Sequence, residues 1–177
     1  MPAPRPPLLA IGVLLLALAA PAAAAAKPKL SAATTHSMLT SRELWATIDV
    51  CNAADQPNTL GIRGSMPGDG RSTDRMYMSF RLQYLDRASM RWLDLAGGGT
   101  PEFVAVGGGG SPRQGGRSFQ LVPVAGKPAF SLRGVVSFQW RRGRAVLEST
   151  SRVSTVGRHS LAGADPADYS AATCLIG

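Results

Sequence analysis

Two stretches of the chain alternate apolar and polar side chains with a period of two, and this pattern restricts the fold more than any other feature. From Arg75 to Asp86, Met76, Met78, Phe80, Leu82 and Tyr84 interleave with Tyr77, Ser79, Arg81, Gln83 and Leu85. From Leu132 to Arg141, Leu132, Gly134, Val136, Phe138 and Trp140 interleave with Arg133, Val135, Ser137, Gln139 and Arg141. Successive side chains of a strand point to opposite faces, so both stretches read as strands with one buried and one mostly wet face. Glu43 to Cys51 repeats the pattern, with Leu44, Ala46, Ile48 and Val50 set against Trp45, Thr47, Asp49 and Cys51. Shorter strand candidates are Thr59 to Ser65, Met90 to Leu95, Phe103 to Val106, Ser118 to Val122, Ala145 to Val156 and Tyr169 to Leu175. Turn residues punctuate them: Pro67-Gly68-Asp69-Gly70, Gly97-Gly98-Gly99, the run Gly107 to Gly110, which reads as a flexible hairpin loop, and Gly126-Lys127-Pro128. About seven to nine short strands so separated predict an all-β antiparallel sandwich or barrel. Outside the N-terminal leader the only helical suggestion is a short turn near Ala164 to Asp168.

The first 26 residues carry the three-part layout of a secretory signal: Arg5 with the α-amino group, an apolar centre from Leu8 to Ala20, then Pro21 and alanines ending Ala24-Ala25-Ala26. The apolar centre is shorter than the roughly twenty residues a membrane span needs. An A-x-A cleavage there makes Lys27 the first mature residue, and no second apolar stretch follows. The expected organisation is a signal peptide over 1–26, a flexible tether over 27–40 and one β-sandwich domain over 41–177. A chain so processed works outside the cytoplasm.

Removing 26 of 177 residues leaves a part with 18 Lys and Arg against 11 Asp and Glu. These cations interleave with Asp86, Asp94, Glu102 and Glu148, and the one dense cluster, Arg141, Arg142 and Arg144, reads either as a solvated hairpin tip or as a contact for an anionic ligand. Together with export, this pattern turns the basic balance away from nucleic acid and toward an extracellular protein, a glycan or an anionic envelope polymer. The two cysteines, Cys51 and Cys174, allow a single intramolecular pairing, and an oxidising compartment favours it over two free thiols or an intermolecular bond.

No catalytic constellation stands out. Of the two histidines, His36 falls in the expected tether and His159 in a turn, so neither has an evident nucleophile to activate. Zinc motifs, a phosphate loop, an EF-hand and a G-x-S-x-G elbow are absent, and no cofactor is implied. Asp49, Asp55, Asp86, Asp94 and Glu102 could supply a glycosidase pair, yet their spacing selects no two of them. Trp45, Trp92 and Trp140 read as core fillers; an exposed one, with Tyr77 or Tyr84, would instead make a platform for sugar rings.

The run Leu132-Arg133-Gly134-Val135-Val136-Ser137-Phe138-Gln139-Trp140 and the final Thr173-Cys174 resemble the immunoglobulin-like sandwich domains of secreted actinobacterial proteins, CARDB-type adhesion modules among them. The chain departs from antibody-type domains, since Trp92 lies 41 residues after Cys51 and Ala172 holds the tyrosine-corner position. A fold resemblance of this kind implies little about function; with no catalytic constellation, the leading expectation is a secreted non-enzymatic module that binds a protein, a cell-wall polymer or a glycan. Two other expectations stand beside it: a small secreted hydrolase with acids yet to be identified, and a protease inhibitor presenting Arg63 to Arg75 as a loop.

Overall fold

The computed structural model describes residues 28–99, 102–158 and 161–177. The leader and His159 lie outside the described residues. Among the described residues nine antiparallel strands form two sheets, so the chain builds the all-β sandwich predicted from the alternation. The smaller sheet has the order β1 (Trp45–Ala53), β2 (Gln56–Met66), β6 (Arg113–Gln120). The larger is built on β3 (Arg71–Asp86) and β7 (Phe130–Arg142), paired from Arg75↔Arg141 to Tyr84↔Leu132. The other edge of β3 is shared by β4 (Arg91–Asp94) and β5 (Val104–Gly109), and that of β7 by β8 (Ala145–Val153) and β9 (Cys174–Ile176).

The predicted apolar faces of β3 and β7 meet the smaller sheet. Met76, Met78, Phe80, Leu82, Leu132, Val136, Phe138 and Trp140 pack with Ile48, Leu60, Ile62 and Met66 in one buried cluster. Two glycines leave no room for a side chain between the sheets: a Cβ on Gly134 would lie 2.9 Å from Ile62 Cδ1, and one on Gly64 would lie 2.9 Å from Val136 Cγ1. Trp140 is fully buried, and its indole Nε1 donates to the Pro67 carbonyl at 2.9 Å, which meets the need of a buried ring N–H for a partner. Cys51 in β1 and Cys174 in β9 are bonded, so the predicted disulfide joins the two sheets and the first strand to the last.

Several expectations need correction. The segment read as a tether over 27–40 contains a helix, α1 (Ala32–Leu39), capped by Ser31, whose Oγ accepts from Thr34 N at 3.1 Å. Its sequence lacks the apolar spacing of an amphipathic helix. Its anchorage is tertiary: Met38 is buried, Leu39 packs on the core, and Arg152 donates to the Leu39 carbonyl. The glycine run Gly107 to Gly110 is mostly strand, since β5 extends to Gly109 against β3. Bare glycines are required there because a Cβ on Gly109 would meet Asp69 Oδ1 at 2.3 Å and the Arg71 carbonyl at 2.8 Å. Tyr169 to Leu175 contributes only its end to β9; before it, Thr155, Asp165 and Ala171 of the C-terminal segment bond along the free edge of β1. Paired bonds between Ile48 and Ala171, each 3.0 Å, and Thr155 N to Ala46 O, 2.9 Å, hold that segment. Arg63 to Arg75 is mostly strand rather than loop: its ends belong to β2 and β3, Ser65 and Met66 are fully buried, and only Pro67 to Gly70 lie between the strands.

Candidate functional site

The same C-terminal segment covers the face of β1 that alternation had marked as wet. Thr47 Oγ1 bonds the Thr155 carbonyl and Ser170 Oγ, both at 2.8 Å, and the Arg158 guanidinium stacks 5.2 Å from the Trp45 ring centroid. Asp49, buried beneath, accepts from Arg63 Nε at 2.8 Å. The outer face of the smaller sheet is therefore partly roofed by the chain itself.

The outer face of the larger sheet has a different character. Register places Tyr77 beside Gln139, Ser79 beside Ser137, Arg81 beside Val135 and Gln83 beside Arg133. Pairing with β8 sets Ser151 next to Ser137, their hydroxyls 2.8 Å apart, and pairing with β4 sets Asp94 next to Gln83. Asp94 Oδ1 accepts from Gln83 Nε2 at 2.8 Å and Arg81 Nε at 3.2 Å. These bonds, that of Gln83 foremost, hold the Asp94 carboxyl below its ordinary pKa and keep it charged. Gln83 in turn accepts from Arg133 Nε at 2.8 Å, and the Arg133 guanidinium lies 4.5 Å from the Trp92 centroid. Burial, followed by the nearby charge of Arg81, makes Arg133 less basic than an ordinary arginine. Arg141 sits between two rings, 4.2 Å from the Tyr77 centroid and 5.2 Å from that of Phe103, while its Nε donates to Gln139 at 2.8 Å.

A cleft of about 330 Å³ opens in this face, lined by Ser79, Arg81, Asp94, Gly99, Phe103 and Ser137, with Leu82 and Leu95 at its base toward the core. Two other hollows are smaller. One of about 260 Å³ is apolar, between Val122, Val124 and Phe130; the other, about 250 Å³, lies beside Asp49, Arg63 and Arg117.

The arginine cluster read at the hairpin tip separates. Arg141 turns onto the outer face, Arg142 pairs with the buried Asp74 through Nε and Nη2 at 2.8 and 2.7 Å, and Arg144 is exposed at the tip beside Gly143. The candidate acids also disperse: Asp49 is ion-paired, Asp86 accepts from the Ser89 and Ala88 amides in a turn, Asp55 lies near Asp165, Glu102 is exposed and Asp94 lines the cleft. The fold assembles two carboxyl pairs, Asp55 with Asp165 and Asp69 with Asp74, and of these four only Asp55 was among the candidates. Burial first, and the neighbouring Asp74 after it, raise the Asp69 pKa; the Arg142 bonds lower that of Asp74. Asp69 accepts from the Arg71 amide at 3.0 Å and Asp74 from Arg142, so the pair braces the turn before β3. His36 is exposed on α1. Among the described residues no group of three or more His, Cys, Asp or Glu could hold a metal ion. Of the tryptophans, Trp45 and Trp140 are buried and Trp92 is half-exposed on the outer face.

The site's wet face was legible as the odd residues of β3 and β7, and Asp94 as a candidate acid; its contacts with Arg81 and Gln83 carried no signal, because the pairing of β4 with β3 sets them, and Phe103 carried none either. Fold and site together define a disulfide-bridged antiparallel β-sandwich with one decorated sheet face. No known protein family, curated protein or solved structure matches the chain.

Proposed function

We propose that this protein is an exported, non-enzymatic binding module that takes an extracellular glycan on the outer face of its larger sheet. One observation carries the reading: that face gathers Tyr77, Trp92 and Phe103, the Arg133 and Arg141 guanidinium groups within 5.2 Å of their ring centroids, and the Ser79, Ser137 and Ser151 row beside a cleft. Rings supply the apolar contact that sugar C–H faces need, and pre-positioned polar groups fix orientation. The leader-like N-terminus and the inter-sheet disulfide support export. Two antiparallel sheets tied by that bond also support the likeness to immunoglobulin-like adhesion modules, although fold alone implies no ligand.

The test is binding of the purified mature protein to an array of envelope and plant-type polysaccharides, with Trp92→Ala and Arg144→Gln in parallel. Retention of specific glycans, weakened by Trp92→Ala and unaffected by Arg144→Gln at the remote hairpin tip, is the expected result. Absence of binding to every glycan on the array refutes the function.

A further inference from the structure

Building on the glycan reading, we infer that the cleft between Arg81, Asp94 and Phe103 is a subsite for one neutral pyranose ring, recognised through its hydroxyl groups. Its volume of about 330 Å³ lies at the lower end of small-molecule sites, which suits one ring rather than a longer segment. The polar chemistry decides the ligand's charge. Both hydrogen bonds that Asp94 accepts fall on Oδ1, and Arg81 spends only Nε on it. Oδ2 of Asp94 and the two Nη groups of Arg81 thus make no hydrogen bond within the described residues.

An acceptor and donors stand side by side at the cleft, and their formal charges cancel. A carboxylate or phosphate entering there meets Asp94, and an ammonium meets Arg81. A hydroxyl, which donates and accepts at once, satisfies both. Ser137, whose hydroxyl is already paired with Ser151, adds a third such group on the cleft wall. Phe103 lines the same cleft and offers a ring for the C–H face of the sugar. The side chain of Asp94 is 66% exposed and that of Arg81 42%, so both are reachable from solvent.

Isothermal titration of the oxidised protein with neutral gluco-, manno- and galacto-oligosaccharides, and separately with oligogalacturonate, tests the inference at 0.1 and 1 M NaCl. The expected result is binding of a neutral oligosaccharide that survives 1 M salt, where exposed charges are screened beyond about 3 Å. Asp94→Ala and Phe103→Ala should each weaken it on the order of tenfold, the loss of a hydrogen bond to a charged group or of a stacking contact. Circular dichroism confirms that each variant is folded, and Asp94→Asn gives a second, isosteric check on the acceptor. Binding confined to oligogalacturonate and abolished by salt overturns the neutral subsite while leaving a glycan-binding face. Neutral binding unchanged in all three variants overturns the placement in this cleft. No binding to any oligosaccharide, with an empty polysaccharide array, overturns the broader function as well.

Discussion

Replacing both cysteines by alanine removes the only covalent tie between β1 and β9 among the described residues, and the structure sets the size of the effect. The bond closes a separation of 123 residues, for which the chain-entropy relation gives a denatured-state constraint of about 4.9 kcal/mol at 25 °C. With an unfolding entropy of about 2.1 cal/mol/K per residue over the roughly 150 residues after the leader, the melting point should fall by roughly 15 °C. Urea unfolding followed by tryptophan fluorescence suits the measurement, because Trp45 and Trp140 are buried and report on the two sheets. Cys51→Ala/Cys174→Ala should show an earlier midpoint together with a steeper dependence on urea, since the unlinked denatured chain exposes more surface. The double variant avoids the stray thiol that either single change leaves. A loss below about 1 kcal/mol would refute the reasoning. It would mean that the β1 edge, already bonded to Ala171, Thr155 and Asp165, holds the C-terminal segment unaided.

Two further outcomes follow from the packing and the charges. Gly134→Ala forces a methyl to within 2.9 Å of Ile62 on the facing sheet, and should cost about 1–3 kcal/mol in urea unfolding; an unchanged midpoint means that the sheets can part freely there. For the Asp69 and Asp74 pair the signs oppose. Asp74 is lowered from 3.8 by Arg142, so its contribution is complete above that value and disappears as pH falls through the folded pKa. Asp69 is raised from 3.8 by burial, so the fold favours its protonated form and loses that preference as pH rises through the raised value. Stability measured from pH 3 to 7 should therefore show Asp74→Asn most damaging above the carboxylate range and converging on wild type below it. Asp69→Asn should remove the opposing decline, and differences constant across pH would contradict both assignments.

How much of this was visible beforehand depends on where each residue's surroundings come from. Met76 to Leu82 and Leu132 to Trp140 are buried through the pleat of their own strands, and alternation alone predicted their core faces. The disulfide was legible from cysteine count and compartment. Thr47 misled because its cover comes from Thr155 and Ser170, more than a hundred residues away, and no local pattern encodes such a neighbour. Glycines 107 to 109 misled for the converse reason. A glycine run raises the entropy cost of ordering a chain and so signals a loop, yet here β5 must pass against Asp69 and Arg71 with no side chain between. The helix α1 forms from a segment rich in threonine because Met38 and Leu39 find the core, a tertiary gain that local propensity does not record.

The fate of the arginines links fold to proposed function. Arg158 and Arg63, on the smaller sheet, face Trp45 and Asp49 beneath or beside the chain's own cover, so their charge serves the fold. Arg133 and Arg141, on the larger sheet, are equally constrained by rings and glutamines, but they stand beside a cleft whose Asp94 and Arg81 are open to solvent. Holding a long, rotamer-rich side chain in one geometry carries an entropy cost that exposed ion pairs barely recover. Stacking and glutamine bonds offset that cost before any ligand arrives, which is the arrangement that raises affinity when a partner binds. A face maintained only for solubility has no need of it. Loss of glycan binding with unchanged stability in Phe103→Ala would therefore separate the two roles: the outer rings would be shown to act on the ligand, and the buried faces of β3 and β7 to hold the sandwich.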